Sequence, residues 1–480
     1  MTRHPDAPQP KTLDPDLINA FATIVGPKHA VTDPNEISPY LTEERGLYHG
    51  HAPLLLRPAT TGDVSEICAL ANQHRIALVP QGGNTGLVGG QTPHHGEVIV
   101  SMRRMDRIRD IDSESATMTC EAGVVLATAQ MRAAQNGHLF PLSLAAEGSC
   151  TIGGNISTNA GGTSALAYGV ARDLVMGLEV VLADGRVWNG LSKLKKDNTG
   201  YDLKNLFIGA EGTLGIITAA TLKLWPRPNF RETAFVAIAS PQAALSLLTL
   251  AREKAAHELT SFELISNIAH DMAVQHGPNV RAPLNSHADW FVLLELSSSR
   301  AGLRETLENL LASMLEKGII QDAALAASLD QRAAFWRLRE CISQVQKFEG
   351  GSIKHDVSVP VAAVPDFIEQ ATHAALALVP GCRPCPFGHL GDGNIHFNVS
   401  QPIGADKEAF LARWPEMNAA VHGVVTQLGG SISAEHGIGI LKRDLLPGVK
   451  DKVALEMMRA LKQTFDPNNI MNPGKVLPER

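Results

Sequence analysis

The sequence has no concentration of positive charge. Its 480 residues include 42 Lys and Arg against 49 Asp and Glu, which gives a net charge of -7, and no long run of Lys or Arg occurs. A nucleic-acid interface requires a basic surface facing the phosphates, and a polybasic membrane anchor requires a cluster of the same residues. Nucleic acid and an anionic membrane surface are therefore not expected as main partners.

Long apolar segments are also missing from the sequence. No uncharged apolar stretch reaches the roughly 18 residues that a membrane-spanning helix needs, so we do not expect an integral membrane protein. Residues 1–10 contain no apolar segment of the secretory type. On these grounds the sequence predicts a cytoplasmic protein.

Cysteine is scarce, and the 6 residues present do not form the pattern of a disulfide scaffold. Cys382 and Cys385 form a single CxxC pair, but no second pair follows at the spacing of a zinc site. We interpret them as two reduced thiols in a loop.

The length and the distribution of glycine indicate more than one domain. A chain of 480 residues is too long for one ordinary core. Glycine-rich loops and short strands fill the first half, up to Pro226 and Pro228. Beyond these prolines, strand-like runs alternate with long amphipathic helices, which is typical of an α+β layer. We therefore predict a domain boundary near these two prolines.

Two local patterns are clear enough to assign. Apolar residues at helical spacing follow residues 61–63, which predicts a helix capped there. The apolar residues of that helix are Val64, Ile67, Cys68 and Ala71. Strand-like residues 178–182 and 187–188 flank Asp184-Gly185, which predicts a hairpin with an Asp-Gly turn.

Three glycine-rich segments lie in the first half, at residues 82–86, 148–162 and 209–217. Adjacent glycines allow successive backbone N–H groups to point into one concavity, which suits a phosphate or pyrophosphate. Neither of the first two segments contains Lys or Arg, so an anion there would be held mainly by dipoles. The P-loop motif is absent, and so is the spacing of a GxGxxG dinucleotide-binding turn. Without other information, three tight turns remain the alternative.

Residues 80–90, 148–162 and 198–215 closely resemble the FAD-binding domain of the vanillyl-alcohol oxidase and p-cresol methylhydroxylase type. The resemblance covers nearly the whole chain, and in detail it is to the D-2-hydroxyglutarate and D-lactate dehydrogenase branch. It implies an α+β fold: a two-subdomain FAD-binding domain, an α+β substrate (cap) domain and a C-terminal helical segment. The expected domains are FAD-binding 1–228 with a lead-in at 1–50, substrate-binding 229–430, and a C-terminal segment 431–480 that returns to the FAD domain.

The resemblance also implies which residues hold the flavin. The pyrophosphate would lie between the loops at 82–87 and 148–159, and residues 211–217 with Asn472 would line the adenine or isoalloxazine side. The expected FAD-binding residues are Pro80, Gly82, Gly83, Asn84, Thr85, Gly86, Leu87, Gly148, Thr151, Ile152, Gly153, Gly154, Ser157, Thr158, Asn159, Glu211, Gly215, Ile216, Ile217 and Asn472. Some relatives attach FAD through a His in the first loop; this chain has Asn84 there, so we expect noncovalent FAD.

Histidines and a carboxylate with the composition of a divalent-metal site lie in the second half. His389 and His396 belong to a Gly-rich loop that runs into a strand, where alternation would point His396 and Asn398 to one face. Glu435 and His436 follow further along. Two His and one Glu with an open position are typical of a catalytic metal, but the spacing H-x6-H is no standard ligand pair, and hydrogen-bonded surface groups remain the alternative.

The resemblance assigns roles to these residues. It implies that His389, His396 and Glu435 bind the metal and that His436 is the catalytic base. Ligation by two nitrogens and one oxygen favours Zn²⁺, with Mn²⁺ and Fe²⁺ as alternatives.

The expected substrate-binding residues lie between these two regions. Arg339 and Ser343 are four residues apart in a helical pattern and so share a face. By resemblance they bind substrate together with Lys354, Asn398 and His436; Ser343 stands where the relatives have Thr. An Arg and a Lys suit a second carboxylate, so we expect D-2-hydroxyglutarate or a near dicarboxylate such as D-malate. D-Lactate, which has no second carboxylate, is the alternative.

Other functions remain open at this stage. They are a zinc hydrolase that uses the His/His/Glu cluster without flavin, a flavin-binding subunit without catalysis, and a flavin oxidase that uses O₂. For the dehydrogenase, the expected partners are a small D-2-hydroxy acid and an electron acceptor, which could be electron-transfer flavoprotein, a quinone or a cytochrome. A homodimer is one possible assembly.

Overall fold

The computed structural model describes residues 13–478, which form two compact units. Within these residues, unit 1 comprises 13–160, 170–226 and 436–478, and unit 2 comprises 161–169 and 227–435. Residues 1–10, in which no secretory signal was found, lie outside the described residues. None of the helices between residues 13 and 478 is long and apolar enough to cross a membrane.

The strands of unit 1 are short and form three sheets. They are β1 (Ala30–Val31), β2 (Leu55–Leu56), β3 (Leu78–Gln81), β4 (Val98–Ser101), β5 (Ile108–Asp112), β6 (Thr117–Glu121), β7 (His138–Leu139), β8 (Val175–Val181), β9 (Val187–Gly190), β10 (Ile216–Lys223) and β11 (Trp225–Pro226). One sheet has the order β1-β2-β4-β3, with β2 and β3 parallel to β4. The second, β5-β6-β10-β8-β9, is antiparallel throughout, and β11 pairs with β7.

Unit 2 is built on one eight-stranded antiparallel sheet. Its strands are β12 (Phe230–Ile238), β13 (Leu259–Ser266), β14 (Trp290–Ser298), β15 (Ile320–Leu325), β16 (Ser352–Ile353), β17 (Asp356–Ser358), β18 (Arg383–His389) and β19 (Asn394–Ser400). Their order is β15-β12-β14-β13-β18-β19-β16, and β17 also pairs with β19. A core of buried aromatic residues packs on this sheet, including Phe235, Phe291, Phe335 and Phe387.

The α-helices connect and cover these sheets. In chain order they are α1 (Pro15–Val25), α2 (Pro34–Ile37), α3 (Thr61–His74), α4 (Leu126–Gln135), α5 (Ile152–Ser157), α6 (Ala165–Tyr168), α7 (Ala171–Leu174), α8 (Lys204–Phe207), α9 (Pro241–Ala255), α10 (Asn267–His276), α11 (Leu303–Glu316), α12 (Leu329–Val345), α13 (Val364–Leu378), α14 (Lys407–Leu411), α15 (Trp414–Gln427), α16 (Leu446–Val449) and α17 (Lys452–Phe465).

The two local elements assigned from the sequence are present. Helix α3 buries Val64, Ile67, Cys68 and Ala71, but its capping residue is Thr60, which forms a reciprocal capping box with Asp63. The predicted hairpin is β8–β9, and Gly185 takes φ +86° in its turn. The two cysteines of the CxxC pair are free, as expected, and both are buried, but Cys385 lies inside strand β18 and not in a loop.

The C-terminal segment of unit 1 packs against β3 in the four-stranded sheet. The N–H of Leu78 donates to the carbonyl of Ile470 over 2.7 Å, and the N–H of Asn472 donates to the carbonyl of Leu78 over 2.8 Å. A buried ion pair joins Lys475 to Glu97, with 3.3 Å between Nζ and Oε1. Residues nearly 400 positions apart are thereby joined beside the glycine loop that follows β3.

Candidate active site

The first two glycine loops of unit 1 lie against each other. The first begins where β3 ends, and the second leads into α5. A Cβ added to Gly82 would collide with the hydroxyl of Thr151, and one added to Gly83 would collide with the carbonyl oxygen of Ser149. Glycine at these two positions permits the close approach of the two loops at the carboxyl end of β3, which pairs in parallel with β4.

Asn84 holds the first loop in place. It adopts the left-handed conformation, with φ +60°, and its Nδ2 donates to the carbonyls of Pro39 and Thr42 at 3.2 and 2.9 Å. Arg103, which the sequence analysis missed, donates from Nη2 to the carbonyl of Gly83 over 3.0 Å. Arg103 lies 20 residues after Gly83, and no local motif identified it.

The hydroxyl and amide groups of the second loop stabilise the turn around α5. Thr151 caps the helix by accepting from the N–H of Gly154, and Ser157 donates to the carbonyl of Gly153 over 2.7 Å. Thr158 donates to the carbonyl of Gly154 over 3.2 Å. Because these side chains already form hydrogen bonds to the backbone, the groups that the loop offers to a ligand are chiefly backbone N–H groups.

The third loop brings together Glu211 and Asn472. The Asn472 Nδ2 donates to the carbonyls of Gly90 and Glu211, both over 2.8 Å. The buried Glu211 carboxylate accepts from the N–H groups of Ile438 and Gly439 at 2.7 and 2.9 Å. Burial raises the pKa of Glu211 to about 7, although these two N–H donors act in the opposite direction. Ile216 and Ile217 are buried in β10 next to Gly215.

Two orphaned oxygens indicate that unit 1 is built for a ligand. The Oδ1 atoms of Asn84 and Asn472 are buried and accept no hydrogen bond from residues 13–478. A buried carbonyl without a donor is costly, and both asparagines belong to the set expected to hold FAD. The glycine cradle and these two acceptors fit a large polar cofactor.

In unit 2 the structure brings His389, His396 and Glu435 together. His389 ends β18, His396 lies opposite Phe387 on β19, and the two imidazole rings are 5.8 Å apart. The Glu435 oxygens lie 3.7 Å from Nε2 of His389 and 3.9 Å from Nε2 of His396. One ligand atom from each residue lies within 4.8 Å of the other two.

The surroundings of Glu435 fit a cation. Its Oε1 accepts from the N–H of Gly162 over 2.7 Å, and its backbone N–H donates to Asp356 over 3.0 Å. Burial raises the pKa of Glu435. The charge of the neighbouring His389 acts in the opposite direction but does not cancel the shift. A half-buried carboxylate with two imidazole nitrogens is a donor set that suits a divalent metal.

Glu263 is a further residue of this cluster that the sequence analysis missed. Its Oε1 lies 2.6 Å from Nδ1 of His389, and its Oε2 accepts from Nε of Arg339 over 2.7 Å. Burial raises the pKa of Glu263, but the charges of His389 and Arg339 outweigh it and hold the pKa at about 2. Burial lowers the pKa of His389, and Glu263 reverses this and raises it to about 9. The one indication in the sequence was that Glu263 is the only charged residue in the segment that forms β13.

The expected substrate-binding residues fall into separate contacts. Arg339 is buried, and its guanidinium carbon lies 5.0 Å from the centre of the Phe387 ring. Lys354 donates from Nζ to the backbone carbonyl of Ser343 over 2.8 Å. Ser343 is exposed on α12 although Arg339, four residues earlier, is buried. The buried Asn398 donates to Gln346 over 2.9 Å. His436 is half-buried and follows Glu435 directly in the chain.

Comparison with known proteins identifies the family. A profile described as "FAD linked oxidases, C-terminal domain" matches residues 227–476, and one described as "FAD binding domain" matches residues 52–190. The "Probable D-2-hydroxyglutarate dehydrogenase, mitochondrial" of Oryza sativa subsp. indica is 39% identical over 481 residues, which cover 98% of this chain and 83% of that protein. The "D-2-hydroxyglutarate dehydrogenase, mitochondrial" of Arabidopsis thaliana is 38% identical over 475 residues, which cover 97% of this chain and 82% of that protein.

The chain belongs to the D-2-hydroxyglutarate dehydrogenase family. It is an FAD-dependent oxidoreductase that acts on a CH–OH group. The resemblance drawn from the glycine loops is thus confirmed, and the hydrolase without flavin and the subunit without catalysis are set aside.

A solved structure confirms the fold class. p-Cresol methylhydroxylase with substrate bound superimposes with a TM-score of 0.76 over 98% of this chain and 99% of that chain, at 16% sequence identity. At that identity the similarity concerns the fold alone, which is of the vanillyl-alcohol oxidase and p-cresol methylhydroxylase type.

The prediction of a cytoplasmic location is wrong by the same comparison, because the rice and Arabidopsis relatives are both named as mitochondrial proteins. The prediction was based on the lack of an apolar segment in residues 1–10. Such a segment marks secretory signals, whereas mitochondrial transit peptides are amphipathic and Arg-rich. Its absence therefore has no bearing on a mitochondrial location.

Proposed function

We propose that this chain oxidises D-2-hydroxyglutarate, or a near dicarboxylate such as D-malate, to the 2-oxo acid. The observation that carries the proposal is the buried contact of Arg339 with Glu263, which also contacts His389. The Glu263 carboxylate thus contacts both Arg339, a cation that suits a substrate carboxylate, and His389, a candidate metal ligand. The names of the relatives support the same substrate.

In the proposed reaction, FAD held noncovalently by the expected FAD-binding residues would supply the acceptor for the hydride that leaves the α-carbon of the substrate. A divalent metal, of which Zn²⁺ is the favoured candidate, would supply polarisation of the 2-hydroxyl oxygen. We assign His389, His396 and Glu435 to hold it. His436, the residue after Glu435, takes the hydroxyl proton, since an imidazole titrates near neutrality and can act as a general base.

The second carboxylate of the substrate is assigned to Arg339 and Lys354. The Nε–H of Arg339 is used by Glu263, and the planar guanidinium can present its terminal N–H groups to another carboxylate. The Phe387 ring and the ion pair restrict the guanidinium, so little side-chain entropy is lost on binding. Ser343 and Asn398 complete the proposed binding residues. D-Lactate has no group for Arg339 or Lys354, so it is the weaker candidate.

Anaerobic reduction of the flavin by a set of hydroxy acids tests this substrate assignment. We expect D-2-hydroxyglutarate to bleach the flavin with a kcat/KM at least about tenfold above that of D-lactate, because a charge pair made by one substrate only is worth more than 1.4 kcal/mol. The L enantiomers serve as the control. The variant Lys354→Ala should raise KM for D-2-hydroxyglutarate and leave D-lactate nearly unchanged. A preference for D-lactate, with glutarate turnover intact in Lys354→Ala, would refute the proposal.

We propose that electrons leave through electron-transfer flavoprotein, a quinone or a cytochrome and not through O₂. Slow reoxidation of the substrate-reduced flavin in air supports a dehydrogenase, and fast reoxidation supports an oxidase.

Assembly as a homodimer stays a prediction.

A further inference from the structure

Glu263 differs from the other candidate site residues because it has two partners with different proposed tasks. It lies in β13, where its Cα pairs in register with that of His389 on β18. Directly paired residues on neighbouring strands point their side chains to the same face, with Cβ atoms about 5 Å apart. The register of the sheet therefore puts the carboxylate beside the imidazole.

The contact with His389 determines which ring nitrogen is available to a metal. Glu263 Oε1 lies 2.6 Å from Nδ1 of His389. A carboxylate paired with Arg339 only accepts hydrogen bonds, so Nδ1 carries the proton. When His389 loses its second proton to bind a metal, the lone pair is therefore on Nε2, the atom that lies 3.7 Å from Glu435 Oε1. A second hydrogen bond of this kind fixes the tautomer and the ring orientation of metal-binding histidines.

The contact with Arg339 fixes the position of the guanidinium in the same way. Its Nε donates to Glu263 Oε2 over 2.7 Å, and its plane lies near the ring of Phe387. Phe387 also packs against His396, with 5.1 Å between the ring centres. Glu263 and Phe387 thus hold groups of both the metal-binding and the substrate-binding set within one buried layer of unit 2.

We propose that Glu263 is a positioning residue that couples the metal ligand His389 to the substrate-binding Arg339. The proposal rests on the function proposed above. The two oxygens of one carboxylate set the orientation of both groups, so a change at Glu263 alters metal binding and recognition of the distal carboxylate together.

The test uses the flavin-loaded enzyme carrying Glu263→Gln. The amide keeps the size of the side chain, but its NH₂ cannot accept, so one of the two contacts is lost and the other becomes neutral. We expect affinity for Zn²⁺, measured by titration of the chelator-treated enzyme, to fall about 10- to 100-fold. We expect KM for D-2-hydroxyglutarate at saturating Zn²⁺ to rise at least about tenfold while the FAD content is unchanged.

Glu295→Gln is the matched control. Glu295 is also buried, on the neighbouring strand β14, but its Oε2 accepts from Thr233 and Trp336 at 2.9 and 3.0 Å. A general effect of removing a buried charge from this sheet would appear in both variants. Loss of Zn²⁺ affinity and of substrate recognition should appear only in Glu263→Gln.

Should Glu263→Gln fail to fold, Glu263→Asp provides the measurement. Aspartate keeps the charge but is one methylene shorter, so it cannot reach both partners, and it should lower Zn²⁺ affinity or raise KM in proportion to the contact it loses. Wild-type values for Zn²⁺ affinity and KM in both variants, or a loss on the metal side alone in Glu263→Gln, would overturn the coupling role. Failure of the wild-type enzyme to bind Zn²⁺ or to use a dicarboxylate would instead refute the proposed function.

Discussion

Burial disfavours ionisation of the Glu211 carboxyl group. Two backbone N–H groups favour the charged form, but burial outweighs them and raises the pKa from 4.5 to about 7. The side chain is needed to join residues 438–439 to the third glycine loop. The folded protein therefore binds a proton at Glu211 more tightly than the unfolded chain does.

This shift predicts a pH dependence of stability. Between pH 4.5 and about 7 the native state binds more protons at Glu211 than the unfolded state, so the free energy of unfolding decreases as pH rises through that window. The contribution is at most about 3 kcal/mol. Urea unfolding of the flavin-free protein at several pH values should show the decline, and Glu211→Gln should flatten it. Parallel pH profiles for the two proteins would contradict this prediction.

Most of the site residues proposed from the sequence lie in segments that a local motif marks. Glu211, Asn472 and the three candidate metal ligands lie in recognisable glycine-rich or Asn-rich segments. Glu263 does not, because its role arises from pairing with His389, 126 residues away. The ion pair with Arg339 likewise depends on how α12 packs, which no local spacing records.

At the scale of elements, the contact between the loops after β3 and before α5 depends on Gly83. The nearest atom to an added Cβ would be the carbonyl oxygen of Ser149, which belongs to the backbone and cannot rotate away. Overpacking of this kind costs about 1–3 kcal/mol, and more where only backbone can move. The strain would separate the two loops that are expected to hold the FAD pyrophosphate.

We therefore expect Gly83→Ala to lose flavin while keeping its secondary structure. The ratio of flavin to protein absorbance should fall at least about fivefold after dialysis, since 1 kcal/mol is a factor of about five in affinity. Gly448→Ala, in α16 with open space around its Cα, is the control and should keep its flavin. Acid precipitation of the wild type should release FAD into the supernatant, because the Asn84 amide is no nucleophile. Flavin retained in Gly83→Ala would argue against the loop assignment.

Elements formed by local sequence could be predicted, and those formed by distant pairing could not. Helix α3 and the hairpin β8–β9 follow from periodicity and an Asp-Gly turn. The position of β13 between β14 and β18 does not, because β18 lies more than a hundred residues further on. The Cys385 thiol was expected in a loop although it lies in β18, because Pro384 and Pro386 are unusual inside a strand. Strand β18 pairs with β19, which follows after four residues, as well as with the distant β13.

At the scale of the whole molecule, the chain passes between the two units four times. The passage after Pro226 coincides with the proline pair seen in the sequence, and the passage after Glu435 falls within the Gly-rich segment that contains His436. No feature of the sequence predicted that residues 161–169 belong to unit 2. This segment is held in unit 2 by Ser261, whose hydroxyl donates to the carbonyl of Thr163 over 2.9 Å. The functional labels, FAD domain and substrate domain, stay predictions.

The division of the site residues between the units predicts how metal and flavin respond to a chelator. All three candidate metal ligands belong to unit 2, whereas the expected FAD-binding residues, at 80–87, 148–159, 211–217 and 472, belong to unit 1. Exhaustive chelation should therefore lower turnover of D-2-hydroxyglutarate by at least about 100-fold, since polarisation of the hydroxyl is worth several kcal/mol. The FAD content and the flavin spectrum should stay unchanged, and added Zn²⁺ should restore turnover in proportion to the metal bound. Because the two residue sets share no side chain, flavin lost in step with the metal would show that they do not act as separate sites.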